Sequence, residues 1–153
     1  MRLKGKTALI TGGSEGIGKA TALLFCSEGA KVGIIARTEK NLIKVLKKAK
    51  GPGEISIYPG DVSKEEDIKS IVEDFYSDFK KIDILFNNAG ILKPGTVVTT
   101  TSEVWDETMN INVKGIFLMS KYVVPLMAKH GGGSIINNSS VLGIVGMENC
   151  MAL

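Results

Sequence analysis

Two rhythms of apolar and polar residues alternate along this chain. Short apolar-rich runs recur at Lys6 to Thr11, Lys31 to Ala36, Glu54 to Tyr58, Asp83 to Phe86 and Ser134 to Asn138. The first, through Ala8-Leu9-Ile10, is apolar in the way a central parallel strand is. Between these runs the spacing turns helical. Ile17, Thr21, Leu24 and Phe25 share one side of a segment that ends near Gly29, and Leu42, Ile43, Val45, Leu46 and Ala49 mark a second that Gly51-Pro52-Gly53 stops. The third is the cleanest: Ile68, Ile71, Val72, Phe75 and Phe79 face one way, with Glu65, Lys69, Glu73 and Asp78 opposite. Ser63, followed three residues on by Glu66, predicts its N-cap and a capping box. A fourth helix, capped by Ser102, is predicted from Glu103 to about Lys129. It is apolar nearly all round, so it needs cover on more than one side, and Pro125 should kink it or mark its last turns.

The order strand–helix repeated four times, then a fifth strand, predicts an α/β domain over residues 1–153: a doubly wound parallel sheet of about five strands and four helices. Right-handed crossovers put the first two helices on one face and the next two on the other. The chain then reverses direction between the first and fourth strands, and a ligand crevice belongs at the C-terminal strand ends there. The loop at that place is Thr11-Gly12-Gly13-Ser14-Glu15-Gly16-Ile17-Gly18, between a strand and a helix. Glycines admit a sharp turn and a close approach to phosphate, and the helix start offers unpaired N–H groups. The spacing is G-x-x-x-G-x-G. Gly13, Gly18 and Lys19 also fit the phosphate loop of nucleoside triphosphatases, but the Mg²⁺-holding Ser or Thr is missing, since Ala20 follows. A glycine turn with no ligand is the plainest alternative.

Composition changes this picture little. Of 153 residues 44% are hydrophobic and 23% charged, ordinary for a globular domain. A net charge of +3 is too small and scattered to argue for nucleic acid. Lys44, Lys47, Lys48 and Lys50 read as a solvated helix face near a C-terminus. Cys26 and Cys150 form no disulfide or metal pattern, and Cys26 reads as core. His130, just past the long helix, reads as a cap or surface residue. No metal site is expected. The N-terminal residues run into a strand with no apolar h-region, and no apolar run reaches membrane-spanning length; the expectation is a cytoplasmic protein without membrane association.

The predicted strand ends carry, in order, the glycine loop, Ala36-Arg37, Asp61-Val62, Asn87-Asn88-Ala89-Gly90 and Ser139-Ser140. Each set alone fits a turn; five along one rim form a pattern. That pattern resembles the short-chain dehydrogenase/reductase family. Thr11-Gly12-x-x-x-Gly16-x-Gly18 is similar to its cofactor motif, and Asn87-Asn88-Ala89-Gly90 to its N-N-A-G. Asn112-Val113-Lys114-Gly115 is similar to the segment holding its helix asparagine. Gly133 to Gly143 is similar to the strand ending in its catalytic serine. The resemblance spans essentially the whole chain, in family order. It implies a Rossmann-like fold and an NAD(P)(H)-dependent oxidoreductase acting on an alcohol or carbonyl substrate. Gly12, Ser14, Glu15, Gly16 and Ile17 would line the pyrophosphate and ribose side, Asp61 and Val62 the adenine, and Asn88, Ala89 and Gly90 the ribose and nicotinamide side. Ser140 would hold the substrate oxygen. Asn112 would anchor a water in the proton relay, a role compatible with packing at a helix distortion. The long apolar helix would build a homo-oligomer interface.

NAD-type sites place an acid after the second strand, whereas NADP-type sites place an arginine near the 2′-phosphate. Here the acidic position is Ala36 and Arg37 follows, which favours NADP(H) over NAD(H). Glu15 runs against this, because many NADP-type members carry a basic residue there. The family's acid/base tyrosine and the lysine four residues later are expected about a dozen residues past Ser140. That count reaches Leu153, so the Tyr-x-x-x-Lys segment is absent from these 153 residues, along with the family's later strands and helices. The expectation is therefore the cofactor-binding portion of a reductase, with little turnover by itself. The alternatives are a non-catalytic dinucleotide-binding module and a truncated, non-functional product.

Overall fold

The computed structural model describes residues 1–151, so Leu153 lies outside the described residues. Five parallel strands form one sheet in the order β3-β2-β1-β4-β5: β1 (Thr7–Thr11), β2 (Lys31–Ala36), β3 (Glu54–Pro59), β4 (Ile84–Asn87) and β5 (Ser134–Asn137). Ala8 stands opposite Val32 on one side and Ile84 on the other, so β1 is central and the reversal falls between β1 and β4, as predicted. Side chains alternate across the strands. Ala8, Ile10, Val32 and Ile34 face α1 (Gly16–Ser27) and α2 (Glu39–Leu46), where Ala22, Cys26, Leu42 and Val45 complete a core. Leu9, Ile35 and Leu85 face α3 (Glu65–Phe79) and the long C-terminal helix, whose Ile68, Val72, Phe75, Leu118 and Met119 fill the other. Cys26 is buried, as its apolar neighbours predict.

Two expected caps move by a residue. Thr101, not Ser102, caps α4 (Ser102–Met109), its Oγ1 accepting from the Val104 N–H at 3.4 Å. Ser63 does not cap α3; Lys64 occupies that position with no side-chain bond, so the capping box with Glu66 does not form. Asp61 Oδ1 accepts instead from both the Ser63 N–H (2.9 Å) and its hydroxyl (2.8 Å), and this local turn competes successfully for the serine.

The predicted long helix is three segments: α4, a π-helical turn at Asn110–Lys114, and α5 (Gly115–Ala128). Its distortion lies at the π turn rather than at Pro125, which sits in the last turn of α5. Ile111, Leu118, Met119, Val123 and Met127 are buried, while Trp105, Val113, Phe117 and Val124 are exposed. Against the expectation that no run reaches membrane-spanning length, Ser102–Ala128 is long and apolar enough by length and composition. Its buried stripe nonetheless packs on the sheet and α3 as a core helix does. β5 forms one sheet edge, with Ile135 and Ile136 about 40% exposed.

Candidate functional site

The C-terminal ends of β1 and β4 are stitched together by side chains. Thr11 Oγ1 accepts from the backbone N–H groups of Asn88 and Ala89, each at 2.9 Å. Asn88 Nδ2 donates back to Thr11 O (3.1 Å) and Gly12 O (3.4 Å), and Asn138 Nδ2 donates to Asn88 Oδ1 at 3.1 Å. One strand position earlier, Asn87 Nδ2 donates to Asn137 Oδ1 at 2.8 Å. Two amide pairs thus tie β5 to β4, and β4 to the glycine loop.

Three glycines of that loop, Gly12, Gly13 and Gly18, have no room for a side chain. At Gly12 (φ +65°) a Cβ would come within 2.9 Å of Asn88 Nδ2, and at Gly18 one would come within 2.3 Å of Gly12 O. The backbone is therefore bare where α1 begins. Glu15, the N-cap, makes no side-chain bond to the first turn, so those N–H groups stay free for an anion.

Two clefts meet here. One, of 210 Å³, is bordered by Gly12, Ser14 and Glu15 from the glycine loop, Ala36 and Arg37 after β2, Asp61 and Val62 after β3, and Ala89 and Gly90 after β4. The other, of 560 Å³, brings Asn88, Asn112, Asn138 and Ser140 together, and the two share Ala89, Gly90 and Ile91. Every site residue expected from the sequence borders one of them except Gly16 and Ile17, which stand exposed in the first turn of α1. Sequence reading assigns no role to Thr11, Asn41, Ile91 or Asn138. Their part is set by neighbours on other strands and loops, and only the polar residue closing an apolar strand hints at Thr11.

Burial works to raise the Asp61 carboxyl, but the Ser63 N–H and hydroxyl, aided by the Arg37 and Lys64 charges, outweigh it and hold the group below the usual carboxylate range. Asp61 is thus an anionic acceptor at neutral pH. Asn112 projects from the π turn and clamps the loop after β4. Its Oδ1 accepts from Ile91 N and its Nδ2 donates to Ile91 O, both at 2.9 Å. Ser140 Oγ accepts from Leu142 N at 3.1 Å and caps the short turn Val141–Gly143, which leaves its O–H to donate.

The three tyrosines border neither cleft. Tyr58 donates to Asp78 at 2.6 Å, and burial together with that carboxylate pushes its hydroxyl far up. Tyr76 pairs with His130 at 3.0 Å, which places the histidine at the surface as expected. Tyr122 donates to Glu65 at 2.8 Å, a bond that raises it too. Among the described residues no group of three or more His, Cys, Asp or Glu is placed to hold a metal.

A family model described as short chain dehydrogenase matches residues 6–152. The chain is 46% identical to the 3-oxoacyl-[acyl-carrier-protein] reductase FabG of Thermotoga maritima, over 95% of this chain and 60% of that protein. It is 40% identical to dehydrogenase/reductase SDR family member 6 of Rattus norvegicus, over 97% and 58%. Against dehydrogenase/reductase SDR family member 4 of Caenorhabditis elegans the figures are 39% identity, 91% and 55%. The chain thus spans at most 60% of the length of these curated relatives.

Proposed function

The chain belongs to the short chain dehydrogenase family, and on that premise we propose that it forms the dinucleotide-binding part of an oxidoreductase. The reading is NADP(H) in preference to NAD(H), with a small alcohol or carbonyl compound as substrate. Bound in the joined clefts, the nicotinamide cofactor would supply or accept the hydride. One observation carries this reading: two clefts joined at Ala89, Gly90 and Ile91, beside a loop in which Gly12, Gly13 and Gly18 leave no space for a Cβ. A cradle of that kind fits a pyrophosphate laid against bare backbone and the uncapped start of α1, with Gly12, Ser14, Gly16 and Ile17 beside it.

Asp61, held anionic, accepts from the adenine amino group, with Val62 against the ring. Arg37, with neutral Ala36 before it, takes the 2′-phosphate. Asn88, Ala89 and Gly90 line the nicotinamide half. Ser140 donates its free O–H to the substrate oxygen. The Asn112 side chain is engaged with Ile91, so a relay water falls to main-chain carbonyls of the π turn.

A proton donor of tyrosine type is not among the cleft residues, since Asp78, His130 and Glu65 hold the three tyrosine hydroxyls elsewhere. The exposed Trp105, Val113, Phe117 and Val124 support self-association through the long helix.

Calorimetric titration of the purified protein with NADPH and NADH tests the reading. NADPH is expected to bind more tightly, and Arg37→Asp to weaken NADPH by about 50-fold while NADH changes little, since a like charge then faces the phosphate. Binding of neither dinucleotide overturns the site. Unchanged NADPH preference in Arg37→Asp overturns the cofactor assignment.

A further inference from the structure

Asn137 ends β5 and Asn138 follows it. Asn137 pairs with Asn87, which shares with Leu85 the face of β4 that α3 and α5 cover. Asn138 pairs instead with Asn88, on the face that carries α1: a Cβ at Gly18 of that helix would stand 2.6 Å from Asn88 Nδ2.

Both donors of the Asn88 amide are committed. They go to Thr11 O (3.1 Å) and Gly12 O (3.4 Å), while Oδ1 accepts from Asn138 Nδ2 at 3.1 Å. A reversed amide would set its oxygen against two carbonyl oxygens, so the loop permits this orientation alone. Asn88 thus has no side-chain donor to offer a ligand. Its amide serves the site by holding the turn at Gly12, where no Cβ fits. The amide oxygen takes its donor from outside the loop, and Asn138 supplies it.

Asn138 is itself anchored. Its main-chain N–H donates to Asn87 O at 2.8 Å, one residue past the last paired position of β5. Beyond it the chain leaves the ladder and reaches Ser140 two residues on. Asn138 and Asn88 border the larger cleft, and Gly12 borders the smaller. A line of amides therefore runs from the serine strand to the glycine loop.

Resting on the dinucleotide reading above, we infer that Asn138 is a positioning residue for the cofactor. By donating to Asn88 Oδ1 it holds the Asn88 amide against the Gly12 turn, and through that amide it holds the bare backbone on which the pyrophosphate lies. Asn138 makes no bond to the dinucleotide. A group is positioned well when the side chain behind it is locked by its own hydrogen bond, and amides in series polarise one another, which adds to the hold.

Calorimetry with NADPH and NADH on variants of the whole chain tests this. Asn138→Leu, of similar size but without a donor, should weaken both dinucleotides about five-fold, the scale of one hydrogen bond. Asn138→Asp keeps the shape and turns an oxygen on Asn88 Oδ1, so the loss should be about ten-fold. Asn138→Gln keeps the NH₂ group, and the exposure of Asn138 gives the longer side chain room; binding should return to within about two-fold of the unmodified protein. In an Asn88→Ala background Asn138→Leu should cost nothing further, a coupling that a merely structural loss at the strand end would not produce. If Asn88→Ala binds too weakly to measure, Asn138→Asp against Asn138→Gln decides alone. Unchanged affinity in Asn138→Asp overturns the inference, as does Asn138→Gln binding as weakly as Asn138→Leu. So does an undiminished cost of Asn138→Leu in the Asn88→Ala background. If the unmodified protein binds neither dinucleotide, the cofactor reading itself has failed and the inference falls with it.

Discussion

Asp83 shows how one side chain anchors the strand that delivers the glycine loop. It is nearly buried at the start of β4, and its Oδ2 accepts from the Thr7 N–H (2.9 Å) and hydroxyl (3.2 Å) while Lys81 meets Oδ1 at 2.5 Å. Burial raises its carboxyl, but the Lys81 and Thr7 bonds prevail and the net effect is downward. The folded protein therefore takes up this proton less readily than the unfolded chain. The anchor contributes fully above the ordinary carboxylate range and is lost as pH falls through the lower folded value. Asp83→Asn is expected to cost about 2 kcal/mol at pH 7, the loss of charged hydrogen bonds at a buried site. In urea melts the gap between the two proteins should narrow as the pH falls below the ordinary carboxylate range toward the lower folded value; a gap independent of pH would show that the charge is not what matters. The sequence identifies Asp83 as a strand residue and no more: Lys81 is two positions away, but Thr7, which takes the carboxylate into the sheet, reaches it only through folding.

At the scale of elements, the π turn Asn110–Lys114 couples the long helix to the rim of the site. Asn112 makes both of its bonds to the main chain of Ile91, a residue that borders both clefts. Asn112→Ala leaves that N–H and C=O without their partner and frees the loop after β4. The expected result is a loss of about 2 kcal/mol of stability and weaker dinucleotide binding, measured by denaturation and calorimetry on the same samples. Unchanged binding would separate the clamp from the site. Strands and helices were legible because burial imposes its period on the residues: the apolar runs and the Ile68-to-Phe79 stripe correspond to β1 through β5 and α3. The caps and the π turn were less so. Ser63 satisfies a capping rule, yet Asp61 takes it, and two local solutions of similar energy are not separated by pattern alone.

At the scale of the whole molecule, the long helix buries one stripe and leaves Trp105, Val113, Phe117 and Val124 in the open. Apolar exposure of that extent on one helix favours association between copies. Phe117→Glu should shift the protein to a smaller species in size-exclusion chromatography with light scattering, with little change in melting temperature because Phe117 is 60% exposed. An unaltered mass would remove this face from the interface.

The sequence by itself determined the α/β alternation, the two-faced layering, the place of the crevice and most of the residues around it. It did so because strand ends in a parallel sheet converge on one rim, and chain order dictates which ends meet. Tertiary structure alone decided how those residues are held. Thr11 receives two N–H groups from the loop after β4, Asn138 reaches Asn88 from another strand, and Asn112 clamps Ile91. Each of these joins residues far apart in the chain through a few ångströms of space. Periodicity reports which side of an element is buried; it carries no information about which distant polar atom arrives there.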